Sequence, residues 1–232
     1  GRCGSTLFHD LLTRHPHVSF MTSLANRHPT KPAYNRTCVS CIDLAGRTFR
    51  RKYFPVEAYG FWDHYFPGFS RPFRDLTADD ASPCAVKGLR TATRQFVTAR
   101  RPRMIFKITG WPRIGFLQSV YPHAKFISVI RDGRAVANSL LNVHFWDGWL
   151  GPGKWTWGPL DAERDARWQH YERSFVALAA LQWELLMEAY AEAKACMPDP
   201  SRLLEIPYED LCSDPVSVFR RARAMLCAIS SW

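Results

Sequence analysis

The apolar run Lys125-Phe126-Ile127-Ser128-Val129-Ile130 passes straight into Arg131-Asp132-Gly133-Arg134-Ala135-Val136-Ala137-Asn138-Ser139-Leu140-Leu141. The first segment has the length and β-branched content of a buried strand, and the second reads as a turn followed by a helix. A buried strand feeding a helix through so short a link is the repeating unit of a parallel sheet covered by helices. The same order recurs nearby. Met104–Ile108 reads as a short buried strand, Thr109-Gly110-Trp111-Pro112 as the loop at its C-terminal end, residues 113–121 as a helix, and Arg202–Pro207 as a last short strand. The expected fold is therefore α/β, a parallel sheet with helices on both faces. Ligands of such sheets bind beyond the strand C-termini, where Lys107 and Arg131 both fall.

A second feature sits at the N-terminus. Gly1-Arg2-Cys3-Gly4-Ser5-Thr6 precedes an apolar helical stripe of Leu7, Phe8, Leu11 and Leu12, and the spacing predicts a helix over about 4–14. Gly4 lets the backbone approach a ligand closely. The helix start leaves free N–H groups and a positive partial charge, which suits phosphate. Arg2 adds a permanently charged fork. The loop is not a Walker A motif, because only two residues separate Gly1 from Gly4 and no Lys-Ser/Thr follows. An ordinary Gly-Ser helix cap is the plain alternative.

Taken together, these segments resemble the sulfotransferases that use 3′-phosphoadenosine 5′-phosphosulfate (PAPS). That family has a Lys/Arg-Ser/Thr-Gly-Ser/Thr-Thr loop after its first strand, matched by Arg2-Cys3-Gly4-Ser5-Thr6. It also has an Arg at a later strand end with a Ser eight positions on, matched by Arg131 and Ser139. A Tyr-Glu-Asp-Leu segment after a late strand is matched by Tyr208-Glu209-Asp210-Leu211. The resemblance implies a P-loop-like sulfotransferase fold and PAPS as the sulfuryl donor, with no metal. It implies that backbone groups of Cys3, Gly4, Ser5 and Thr6 hold the 5′-phosphate, that Arg131 and Ser139 hold the 3′-phosphate, and that Tyr208 contacts the nucleotide. Arg2 stands at the catalytic Lys/Arg position, and Lys107 matches a lysine near the sulfuryl group.

Two positions depart from the pattern. Thr109 stands where cytosolic members have a His base, and Thr22 stands where the tyrosylprotein branch has a Glu. Glu57 is then the first candidate for the base, by likeness to the polysaccharide branch, with Asp63 and His64 next. The resemblance also places a strand before Gly1 and a closing loop after the last helix, so the sequence reads as a partial sulfotransferase domain over 1–232.

Composition sets the remaining bounds. With 31 Lys and Arg against 21 Asp and Glu, the formal charge is +10, which favours anionic ligands without choosing among them. Seven scattered cysteines do not form a disulfide framework. Cys38-x-x-Cys41 lacks a second pair at zinc spacing. A reducing compartment, the cytoplasm, follows by default, and an anchor outside this sequence is left open.

Residues 15–55 show no sustained periodicity and read as surface segments with short helices. Arg47, Arg50, Arg51 and Lys52 there read as a solvated face. Helices are expected over 56–65, 78–101, 162–196 and from Pro215 to about Ala228. The basic residues of 78–101, among them Arg100 and Arg101, have no interleaved aromatic platform, so nucleic acid is not expected as a partner. The aromatic-rich stretch 143–168, with Trp146, Trp149, Trp155 and Trp157, reads either as a lid or insert packed on the core or as an acceptor wall.

Besides a sulfotransferase acting on an unidentified hydroxyl or amine, two readings remain open at this level. One is a P-loop kinase-like phosphotransferase, with Asp132 as its magnesium ligand. The other is a non-catalytic nucleotide- or polyanion-binding relic of the fold.

Overall fold

The computed structural model describes residues 2–71 and 73–227. Gly1, the predicted helix end at Ala228 and the terminal Ser231-Trp232 lie outside the described residues. The chain divides into two compact units, one made of Ser5–Arg71 and Asp79–Thr109, the other of Gly1–Gly4, Pro72–Ala78 and Gly110–Trp232.

The first unit contains α1 (Ser5–Leu12), β1 (Val18–Phe20), α2 (Ser23–Arg27), α3 (Pro32–Lys52), α4 (Tyr59–Tyr65), α5 (Pro83–Arg94) and β2 (Arg103–Ile105). β1 and β2 pair in parallel, with Phe20 opposite Ile105. The stretch expected to be loose surface holds both β1 and the long α3. β1 is fully buried but only three residues long, too short to show a period of two. α3 buries Asn35, Cys38, Val39 and Ile42, a helical stripe that packs on Phe20. Gly46, with φ 68° and ψ −145°, breaks the helix. Arg50 does not simply face solvent: it donates to Asp10 Oδ1 at 2.8 Å and to the Thr13 carbonyl and hydroxyl, clasping the end of α1.

α5 is shorter than its predicted span. Ser82 caps it, accepting from the Ala85 N–H, and Pro83 opens it. Arg101, expected on the basic face of that helix, lies in coil and is 4% exposed. It donates to Asp43 Oδ2 at 2.9 Å and to the carbonyls of His15 and Val18. A buried guanidinium needs this many acceptors to offset its lost hydration. The unit's aromatic core stacks Trp62 on Phe69 at 4.8 Å and packs Phe61 against Phe96.

The second unit contains α6 (Ile114–Val120), β3 (Phe126–Ile130), α7 (Gly133–Leu141), α8 (Ala162–His170), α9 (Phe175–Ala195), β4 (Leu203–Pro207), α10 (Tyr208–Ser213) and α11 (Pro215–Cys227). β3 and β4 pair in parallel from Phe126 opposite Leu203 to Ile130 opposite Pro207. The connection between them is the helical crossover that parallel strands require. The single helix expected over 162–196 is two, α8 and α9. Glu172 and Arg173 adopt left-handed φ of 53° and 56°, and Ser174 caps a new start by accepting from the Val176 and Ala177 N–H groups. In the aromatic stretch, Trp146 and Trp155 are buried with Val136, Leu140 and Leu178. Trp146 Nε1 donates to buried Gln182 Oε1 at 2.6 Å. Phe145 and Trp149 remain exposed.

Parallel strands, each pair joined through helices, make this an α/β fold. Among the described residues no helix is long and apolar enough to cross a membrane.

Candidate functional site

The register of β3 and β4 builds one cluster, in the second unit. Ile130 and Pro207 are partners, so the residues that follow them, Arg131 and Tyr208, emerge side by side. The Arg131 guanidinium carbon lies 4.6 Å from the centre of the Tyr208 ring, a cation–π contact. Arg131 Nη1 donates to the Arg2 carbonyl at 3.0 Å. Its Nε is buried and has no hydrogen-bond partner among the described residues. α7 starts at Gly133 under an Asp132 cap, and Ser139 lies on its second turn. Ser139 Oγ accepts from Arg2 Nε at 2.9 Å. Arg2 itself is exposed and holds a left-handed φ of 69°, a conformation that costs a non-glycine residue about 1–3 kcal/mol. Its guanidinium also sits 5.9 Å from the exposed ring of Phe145.

Gly4 belongs to the same cluster. It has φ +75°, and a Cβ there would stand 2.4 Å from Tyr208 Cε2. A side chain at this position would both strain the backbone and displace the tyrosine. Cys3, between them, is a partly exposed free thiol. The structure thus brings Arg2, Gly4, Arg131, Ser139 and Tyr208 together. The donor set is cationic and hydroxylic with one orphaned buried N–H, and such a set fits a phosphate-bearing anion. Asp132 does not stand free for a cation: it caps α7 and pairs with Arg134 at 2.6 Å, which holds its carboxyl down at about 2.

A second cluster lies in the first unit, at the start of α1. Ser5 is the first residue of that helix and Thr6 the second. Lys107, 9% exposed just beyond β2, donates to Thr6 Oγ1 at 2.8 Å and pairs with Glu57 Oε1 at 2.7 Å. An ammonium this buried needs such partners. Glu57 precedes α4, and its carbonyl accepts from Trp62 Nε1. Of the other candidates for the base, Asp63 accepts from the Ser70 N–H at 2.8 Å, which ties it to the loop after α4. His64 is exposed and lies edge-on to Tyr65. The two departures from the family pattern have structural work. Thr22 is fully buried and hydrogen-bonded to Asn35, and Thr109 bonds to the Tyr59 hydroxyl.

His9 is the residue that sequence reasoning missed. One turn after Thr6, it is 5% exposed, and its Nε2 has no partner among the described residues. Burial, with a further contribution from the positive charge of Lys107, pushes its pKa down to about 4. The spacing of Thr6 and His9 by three was a signal that both share one helix face. Because the folded pKa lies below the ordinary value of 6.5, His9 contributes stability that is fully present above pH 6.5 and is lost as pH falls toward 4. A gap of this size corresponds to roughly 3 kcal/mol. Urea unfolding of the wild type should show this loss between pH 6.5 and 4, and His9→Gln should flatten it. A variant that keeps the full pH dependence would show that another group causes it.

Among the described residues no group of three or more His, Cys, Asp or Glu could hold a metal ion. Comparison with protein-family models finds one match over residues 1–226, to the model described as the sulfotransferase family. No curated protein and no solved structure matches the chain significantly.

Proposed function

The chain belongs to the sulfotransferase family, and from that premise we propose that it moves a sulfuryl group from PAPS to a hydroxyl or amine of an acceptor. The observation that carries the choice of donor is the cluster of Arg131, Tyr208, Arg2 and Ser139, with its unpartnered buried Arg131 Nε. In this reading Arg131 and Ser139 take the 3′-phosphate, Tyr208 contacts the nucleotide, and the N–H groups of Cys3, Gly4, Ser5 and Thr6 take the 5′-phosphate.

PAPS supplies a sulfur electrophile, whose bond to the bridging 5′-phosphate oxygen breaks as the acceptor atom bonds to sulfur. The protein's share is positioning and charge stabilisation. Arg2 neutralises the negative charge that develops on the bridging oxygen. Lys107, held by Thr6 and Glu57, presents its ammonium to the sulfuryl oxygens. Glu57, paired with Lys107, accepts the proton that the attacking hydroxyl or amine releases.

The test uses the product nucleotide, 3′-phosphoadenosine 5′-phosphate (PAP). At a hundred times its dissociation constant, a ligand that binds only the folded state adds about 2.7 kcal/mol, roughly 5–10 °C in Tm for a chain of this length. PAP should give a shift of this order, and ATP with magnesium at the same concentration much less. Equal shifts would sink the assignment of the 3′-phosphate to Arg131 and Ser139.

A further inference from the structure

The second unit carries an apolar face that the proposed chemistry leaves unused. A 3₁₀ turn at Asp147–Leu150 brings Trp149 and Leu150 to the surface, and the start of α9 brings Phe175 and Val176. Tyr171, at the end of α8, stands four residues before Phe175. These five side chains are between 41% and 62% exposed. Single apolar residues on a surface are ordinary, but a contiguous group marks an interaction site. Ring contacts hold this group together. Buried Trp146, fixed by its hydrogen bond to Gln182, meets the Trp149 ring edge-on at 4.9 Å. Trp149 in turn meets the Phe175 ring at 4.9 Å. The exposed rings are therefore seated on the core of their unit and already ordered.

The charges beside them lean positive. Lys154 and Arg173 are exposed, and among the described residues neither has a carboxylate partner. The Arg173 guanidinium carbon lies 6.0 Å from the centre of the Trp168 ring. Asp147 is tied to its own loop, accepting from the Thr156 N–H at 2.8 Å, while Glu172 is exposed. A second copy of the chain suits this face poorly. A two-fold contact sets a patch against itself and would bring Lys154 and Arg173 toward their own counterparts. Trp, Tyr and Phe beside unneutralised Lys and Arg suit the surface of a bilayer. There the rings rest at headgroup level and the cations meet anionic headgroups. The formal charge of +10 acts in the same direction.

We infer that this face docks the protein on an anionic lipid surface, with Trp149, Leu150, Phe175 and Val176 entering the headgroup region and Lys154 and Arg173 meeting the headgroups. The inference does not depend on the nucleotide assignment.

The experiment is co-sedimentation with vesicles of equal parts phosphatidylcholine and phosphatidylserine, against vesicles of phosphatidylcholine alone. The anionic vesicles should be bound at least about tenfold more tightly, the scale of two cations near a charged membrane. Lys154→Gln/Arg173→Gln should erase that difference. Trp149→Ser/Phe175→Ser should weaken binding to the anionic vesicles by at least about tenfold. Trp149→Phe should keep the binding but lose the part of the tryptophan quenching by brominated lipid that comes from position 149. The variants' own Tm and their thermal shift with PAP should match the wild type, which separates lost docking from lost folding. Absence of vesicle binding by the wild type would overturn the inference, as would full binding in both double variants or unchanged quenching in Trp149→Phe. A dimer in sedimentation velocity that Trp149→Ser/Phe175→Ser dissociates would also overturn it, because a second copy would then cover this face.

Discussion

Arg131→Ala is expected to weaken PAP binding by at least about a hundredfold while leaving adenosine 5′-diphosphate, which lacks the 3′-phosphate, nearly unaffected. The guanidinium is held over the Tyr208 ring and tied to the Arg2 carbonyl, so little ordering remains to be done when an anion arrives. Each hydrogen bond to a charged group contributes about 1.5–3 kcal/mol, and an arginine fork makes two of them to a phosphate. Their loss therefore costs about 3 kcal/mol or more, about a hundredfold or greater. Ser139→Ala removes a single hydroxyl that already serves Arg2, so its effect should be clearly smaller. Titration of both variants with both nucleotides separates the cases. If Arg131→Ala weakens the two nucleotides equally, the arginine only supports the loop through the Arg2 carbonyl.

Arg2→Ala should act on turnover. In PAP the leaving oxygen has already left, so the product complex lacks the developing charge that Arg2 is proposed to stabilise. Removal of one such donor lowers turnover by roughly a hundred- to a thousandfold, with a smaller change in PAP affinity. PAP release from PAPS, with water as acceptor, reads this directly. Arg2 holds a left-handed backbone, strain that sits at the position proposed for the catalytic cation. Ordinary turnover with weakened PAP binding would reduce Arg2 to a phosphate ligand.

Much of the fold was legible because its signals are local. The apolar run at 126–130 and the strand at 203–207 stand out in the sequence, and so does the helix that begins at Gly133. The site needed more. That Arg131 and Tyr208 touch follows from the pairing of Ile130 with Pro207, a register between residues 77 positions apart, and no local pattern carries it. Arg101 reads as one more surface cation until Asp43, 58 positions away, is seen to bury it. β1 was hidden by its length. The break between α8 and α9 was visible in principle, since Ser174 is a helix-start residue in mid-pattern, but the apolar spacing on both sides masked it. His9 was hidden for a different reason. A lone histidine in an amphipathic helix carries no sign of burial, and only the tertiary setting of Lys107 and Glu57 makes it stand out.

The most direct test of the donor assignment is an equilibrium titration of the wild-type protein with PAP and with adenosine 5′-diphosphate under identical salt. PAP is expected to bind at least about a hundredfold more tightly, the value of a paired guanidinium–phosphate contact. Equal affinity for the two nucleotides would contradict a sulfonucleotide site built on Arg131, Ser139 and Tyr208.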